Sequence, residues 1–127
     1  MKRELLTSRE ESIMQIIWKI GPCTMSQIMD YLKKNNKKVS VPAPTTVSTF
    51  LRILIDKNYL NFKAYGKTYE YYTEIGKLEY ASIQLRNMIK QYFSNKPEEL
   101  VSFIVNEEEM DEMELQKLLN ELIKKSK

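Results

Sequence analysis

The chain has no histidine, one cysteine, three glycines and one tryptophan in 127 residues. Without histidine there is no histidine-based catalytic triad and no imidazole metal ligand. The lone cysteine, Cys23, cannot form an internal disulfide and has no neighbouring base in sequence, which fits an inert thiol in a reducing compartment. So few glycines argue against a many-turned β architecture and for helices. No glycine-rich phosphate loop is present, and the acidic run 107–114 lacks the spacing of a calcium loop. No apolar run approaches the length of a membrane span, and the opening MKRELLTSREE lacks the apolar segment of a signal peptide. These absences lead us to expect a cytoplasmic protein with no membrane insertion, no cofactor, no metal and no catalytic activity.

What is present is an ordinary globular composition, 43% hydrophobic and 29% charged. The length suits one compact core with an appendage, or two small domains. Net charge is only +3, but it is unevenly placed. Residues 1–75 hold 12 Lys/Arg against 7 Asp/Glu, whereas residues 76–127 hold 8 against 10. A basic front and an acidic back suggest a polyanion-binding domain followed by a segment with another task.

The front half reads as three helices and a hairpin. Thr7 to Glu10 fits a capping box, and Ile13, Ile16, Ile17 and Ile20 make an apolar stripe flanked by Met14 and Trp18, ending at Gly21-Pro22. Cys23-Thr24 suits a short extended piece. Thr24 to Gln27 fits a second capping box, and Ile28, Met29 and Leu32 supply the inner face of a second helix. That helix runs into Lys33-Lys34-Asn35-Asn36-Lys37-Lys38, which suits either a solvated helix end or a DNA-backbone contact. Pro44 suits the first position of a third helix, and Asn58 suits its left-handed end. Leu60–Ala64 and Thr68–Tyr72 alternate in character around Tyr65-Gly66-Lys67, the mark of a hairpin. Its tip carries Lys63 and Lys67 with an aromatic, Tyr65, between them. This order is that of a winged helix-turn-helix with a two-stranded wing, placed at residues 1–74.

From residue 75 to 127 the pattern is helical. Leu78, Leu85, Met88 and Tyr92 lie on a long amphipathic helix, broken at Asn95-Lys96-Pro97. A short helix follows with Leu100, Val101, Phe103, Ile104 and Val105, then a last one with Leu115, Leu118, Leu119, Leu122 and Ile123. Three helices of this size give too little core to stand comfortably alone. Their apolar faces are expected to close against a second copy, which makes the segment a helical dimerisation domain and the protein a homodimer.

The most informative stretch is 41–60, VPAPTTVSTFLRILIDKNYL. At helical spacing Val47, Phe50, Leu51 and Leu54 form an apolar stripe, with Thr45, Ser48, Thr49, Arg52 and Asp56 opposite. Lys and Glu are the usual way to solvate a surface helix, so three hydroxyl residues there call for a reason. Short side chains let a helix sink into a groove, hydroxyls bond phosphates and base edges, and threonine methyls touch thymine methyls. The competing reading is a core helix with an idle polar face. A winged helix used for protein contacts, without a specific DNA target, is the other alternative. Such a face would more often carry exposed Leu, Tyr or Trp than Thr and Ser.

Several segments together resemble the penicillinase-repressor (BlaI/MecI/CopY) family of bacterial transcriptional regulators. They are Leu6–Glu10, Ile13–Trp18, Thr45–Leu54, Lys57–Leu60 and Gly66–Tyr71. The resemblance implies an N-terminal winged helix and a C-terminal helical dimerisation domain. It implies a homodimeric, sequence-specific repressor that binds an inverted-repeat DNA operator. It places Thr45, Thr46, Ser48, Thr49 and Arg52 at the DNA-facing positions and Gly66-Lys67 at the wing tip. Asn58 stands where the family usually has glycine, Lys67 where arginine is common, and Thr73 where proline often follows. The copper-sensing branch carries a C-terminal cysteine motif, and no cysteine follows Cys23 here. The antibiotic-responsive branch partners a membrane sensor protease that cuts an asparagine-phenylalanine bond in the dimerisation domain. The corresponding stretch here, Val101 to Asn106, has no such bond. Release by proteolysis or by another signal acting on that domain is therefore an expectation from the resemblance alone.

Overall fold

The computed structural model describes residues 4–35, 40–107 and 111–125, with backbone only at residues 107, 118, 119 and 121–125. The elements in order are α1 (Ser8–Ile20), β1 (Cys23–Thr24), α2 (Met25–Asn35), α3 (Pro44–Asp56), β2 (Leu60–Tyr65), β3 (Thr68–Thr73), α4 (Lys77–Tyr92), α5 (Pro97–Glu107) and α6 (Glu112–Lys125). They form two compact units, one ending at Ile75 and the other starting at Gly76.

In the first unit both capping boxes form. Thr7 Oγ1 accepts from the Glu10 N–H at 3.3 Å, while Glu10 Oε1 accepts from the Thr7 N–H at 3.0 Å. Thr24 and Gln27 make the same reciprocal pair at 3.3 and 2.8 Å, starting α2. Gly21 stops α1 with φ of +84°, a left-handed turn that glycine enters without a Cβ penalty. Pro44 occupies the start of α3, where the missing N–H leaves no intrahelical bond unmade.

The core joins α1, α2 and α3 beneath a small sheet. Ile13, Met14, Ile16 and Ile17 from α1 meet Ile28, Met29 and Leu32 from α2 and Val47, Leu51 and Leu54 from α3, all buried. Met14, placed beside the stripe by sequence, lies fully inside it. Ile20 departs from the expected stripe and is exposed, because the chain turns away at Gly21 before a further turn of helix can cover it. Trp18 is packed at its indole edge, with Nε1 donating to the Ile75 carbonyl at 2.9 Å.

The two-stranded wing forms as expected, and the short extended piece joins it in a three-stranded sheet of order β1-β3-β2, antiparallel throughout. Cys23 and Thr24 pair with Tyr71 and Glu70, so the short extended piece is an anchor for the base of the wing. Beyond that base, β2 and β3 run on as a hairpin closed by Gly66-Lys67, with Tyr65 paired to Thr68. Of the two turn residues only Gly66 has positive φ, +64°, as a type II′ hairpin turn requires.

The junction between α3 and the wing is the most constrained part of the unit. Asn58 takes φ of +67°, its N–H donates to Ile55, and the Tyr59 N–H donates back to Leu54. These two bonds are a Schellman motif built on asparagine where glycine is the usual choice. Tyr59 is fully buried, and its hydroxyl donates to the Glu4 carbonyl. Lys57 Nζ reaches across to Glu10 Oε1 at 2.8 Å and lies 3.8 Å from Glu4 Oε2.

In the second unit α6 packs against both α4 and α5. Ser94 and Asn95, both left-handed, turn the chain after α4, and the Asn95 N–H donates to Ile89 at 2.9 Å. The Asp111 side chain caps α6 by accepting from the Met113 N–H at 2.9 Å. Two residues expected on the outward apolar face are instead covered by the chain itself: Leu100 is 5% exposed and Leu115 6%. The helical spacing of an apolar residue marks a face to be buried, not which chain buries it. Val101 and Ile104 are half-buried, as are Leu78 and Leu85, while Met88, Tyr92 and Phe103 are exposed. The side chains of Leu118 and Leu122, expected at the same face, lie outside the described residues, as does much of the acidic run 107–114.

The Glu10 carboxylate ties the pH dependence of folding to this core. Burial pushes its pKa up, but the hydrogen bond from Lys57, those from Thr7 and the Lys57 charge outweigh burial and hold it below its ordinary 4.5. A carboxyl with a lowered folded-state pKa stabilises the fold above its unfolded value, and that contribution disappears as pH falls through the folded value. Glu10→Gln should therefore destabilise the protein by about 1–3 kcal/mol at pH 7. Denaturant midpoints should show the gap from wild type closing as pH is taken below 4.5. A gap that persists undiminished in acid would mean that Glu10 acts through packing alone.

Candidate nucleic-acid interface

The buried side of α3 dictates the exposed side. Val47, Leu51 and Leu54 are 0, 1 and 0% exposed, which fixes the helix about its own axis. Thr45, Thr46, Ser48, Thr49 and Arg52 are consequently all exposed. Thr45, Ser48, Thr49 and Arg52 stand at i, i+3, i+4 and i+7, a continuous stripe along the outer face of the helix.

The stripe has no apolar side chain and one charge, the Arg52 guanidinium. Among the described residues Arg52 has no ion-pair partner, although Asp56 follows one turn on. The Thr49 hydroxyl donates to the Thr45 carbonyl at 2.9 Å, a bond back into the helix. No side chain caps the N-terminus of α3, where Ala43 is the cap residue, so its first turn keeps its partial positive charge open to solvent.

The wing supplies the second candidate surface. Lys67 sits in the turn itself and Lys63 three residues before its start, both exposed. Their electrostatic settings differ. Glu70 stands directly opposite Lys63 in the strand register and offsets part of its charge, whereas Lys67 has no such neighbour across the ladder. Aromatic side chains clothe the same hairpin. Phe62 and Tyr69 stack with ring centroids 4.5 Å apart, and Tyr65, beside the turn, is 60% exposed. Between the two lysines the sequence holds one aromatic, Tyr65, and the stacked Phe62 and Tyr69 lie outside that interval. Tyr71, on the Phe62 side of β3, is half-buried.

Lys33 and Lys34 are exposed at the end of α2, while Lys37 and Lys38 lie outside the described residues. Cys23 is buried, and burial first, with the Glu70 charge second, pushes its thiol up to about 11. It is a protonated core residue at neutral pH, without the character of a nucleophile. Among the described residues no group of His, Cys, Asp or Glu side chains has the arrangement of a metal site. No described helix is long and apolar enough to cross a membrane.

Comparison with known proteins agrees with this architecture. The penicillinase repressor of Bacillus licheniformis is 24% identical over 104 residues, covering 81% of this chain and 78% of that one. The solution structure of the DNA-binding domain of the repressor BlaI superposes with a TM-score of 0.50 at 24% identity. It covers 60% of this chain and 90% of that domain, a likeness of winged-helix fold. The monomeric form of Bacillus licheniformis BlaI in complex with the blaP half-operator gives a TM-score of 0.49 at 28% identity, covering 60% of this chain and 88% of that one. The family model described as penicillinase repressor matches residues 6–125, nearly the whole of both units, and the chain belongs to that family.

Proposed function

We propose that this protein is a homodimeric transcriptional repressor that binds an inverted-repeat DNA operator through α3 and the wing. The observation that carries the reading is the division of α3 into a buried apolar face and an exposed stripe of hydroxyls with one guanidinium. Short polar side chains allow the backbone of a recognition helix to approach the floor of the major groove. Thr45, Thr46, Ser48, Thr49 and Arg52 are assigned to the groove, and Lys63 and Lys67 to the phosphate backbone beside it. Family membership supports the same reading, as does the half-operator bound by the Bacillus licheniformis relative.

The exposed wing aromatics favour a second reading, in which the winged helix contacts a protein. The two readings differ in salt dependence, because only phosphate contacts release condensed counterions. Arg52→Ala should weaken binding to the selected operator by roughly tenfold to more than a hundredfold, the worth of one lost base contact, with little change in melting temperature. Lys67→Ala should weaken operator and random duplex alike and lower the salt slope by about one. An Arg52→Ala protein that loses stability as much as affinity would show the residue to be structural, and failure to be retained on duplex DNA even at low salt would favour the protein-contact reading.

The second unit is assigned to dimerisation. Tyr92 and Met113 are 77 and 79% exposed, and Met88 and Phe103 are exposed as well, large apolar side chains that a second copy would cover. Val101, Ile104, Leu78 and Leu85 are half-buried and are assigned to the same interface. Two copies bring two recognition helices to half-sites about one helical turn or more apart. Sedimentation at micromolar concentration should give a dimer. Tyr92→Glu combined with Phe103→Glu should give a folded monomer whose operator affinity falls by about 10²–10⁴, the effective-concentration term. A wild-type monomer at that concentration would overturn the assignment.

Release of the operator is assigned to disturbance of the same unit. Phe103-Ile104 lies inside α5, where the backbone is hydrogen-bonded in a helix and closed to a protease until local opening. A protease specific for the asparagine-phenylalanine bond should therefore leave the second unit uncut, as read from fragment masses after co-expression with the membrane sensor protease, because the chain's one such bond, Asn61-Phe62, lies in β2. A cut between Phe103 and Ile104 with loss of operator binding would show instead that proteolytic release is retained at an altered bond.

A further inference from the structure

We propose that Thr49 reads the methyl group of a thymine in the major groove through its own methyl, and does not read a base or phosphate through its hydroxyl. The inference rests on the DNA-binding reading above and sharpens it at one residue.

A threonine hydroxyl has a single proton to donate. In Thr49 that proton is already given to the Thr45 carbonyl, at 2.9 Å. The bond is local to α3, and Cβ branching leaves few alternative rotamers within a helix, so the arrangement is held before any partner arrives. The neighbours on the stripe differ. Among the described residues, no group of the chain takes the hydroxyl proton of Thr45, Thr46 or Ser48, which keep theirs for phosphate oxygens or base acceptors. The stripe thus divides into donors and one residue whose uncommitted group is a methyl.

Thr49 also has the position for a base contact. It lies one turn into α3 from Thr45 and one turn before Arg52, in the middle of the exposed face. On the major-groove edges of the four bases the apolar group is the C5-methyl of thymine. A threonine methyl flanked by hydroxyls and a guanidinium matches it by size and polarity, and no desolvated donor is left unpaired. The two lone pairs of Oγ1 could only accept, from an adenine or cytosine amino group, and that is the competing outcome.

The test begins with selection of bound duplexes from a random pool by the full-length protein. Each thymine of the selected half-site is then replaced by uracil, which removes only the methyl. Affinities are measured for wild type, Thr49→Val and Thr49→Ser, with melting curves confirming the fold of each. At one thymine, uracil should weaken the wild type by about fourfold, the worth of one methyl removed from water. Thr49→Val should bind within about twofold of wild type and keep that penalty. Thr49→Ser should lose about fourfold on thymine and suffer no further loss on uracil. A Thr49→Val protein that binds tenfold or more weaker would show that the hydroxyl does the reading and would overturn the proposal, as would a uracil penalty undiminished in Thr49→Ser. Failure of the selection to enrich any sequence would overturn the DNA-binding reading itself, and this one with it.

Discussion

Everything in the first unit turns on the burial of Val47, Leu51 and Leu54 against α1 and α2. A fully buried aliphatic side chain contributes about 1.5–3 kcal/mol, so three of them outweigh any preference of the opposite face for a particular environment. The polar face of α3 therefore does not have to contribute to folding. It is free to hold residues that are mediocre helix formers, threonine and serine, whose summed propensity cost over four positions is of the order of 1–2 kcal/mol. The hydroxyl stripe is affordable because the apolar stripe is deep.

Holding the helix by one face is not enough to place the wing, which must leave α3 at a defined angle. The Schellman turn at Lys57-Asn58-Tyr59 supplies that angle, and three long-range ties fix it: Tyr59 in the core, its hydroxyl on the Glu4 carbonyl, and Lys57 on Glu10. A β-branched residue at Asn58 would be strained at φ of +67°, while asparagine tolerates it. On the far side, pairing of β1 with β3 ties the base of the wing to the start of α2. The same few contacts that stop α3 also aim the hairpin, so the exposed stripe of α3 and the lysines of the wing are held in one rigid frame.

Local chemistry was legible in the sequence and non-local chemistry was not. Thr7 with Glu10, Thr24 with Gln27, Pro44 at a helix start and Gly66 in the turn each need only three or four neighbouring residues, and each forms as the spacing requires. Lys57 and Glu10 are 47 positions apart and carried no signature of each other. Ile20 continues a perfect stripe but falls where the core has already ended. Leu100 and Leu115 show the same limit from the other side, since apolar periodicity cannot tell self-burial from burial by a partner. On the candidate interface, the five α3 residues and two lysines were all legible as exposed, because exposure there follows from the opposite face. The commitment of the Thr49 hydroxyl to Thr45 was not, because it depends on a rotamer.

The charge distribution completes the picture of how such a surface would work. Twelve basic and seven acidic residues before position 76 make a modest excess, and Glu70 offsets part of Lys63. A unit of that charge neutralises few phosphates, so its non-specific attraction to DNA is small and the salt slope of that attraction is shallow. Weak attraction for arbitrary sequence is an advantage when recognition rests on small hydroxyls and methyls, each worth only a few-fold to tenfold between right and wrong bases. A strongly basic module would swamp such differences among competing sites. Affinity must then come from a source that is blind to sequence without being attracted to phosphate, and the exposed Tyr92, Phe103 and Met113 surface of the acidic second unit has that character. In the proposed dimer, pairing of those surfaces raises binding at two correctly spaced half-sites and adds nothing at a single wrong one.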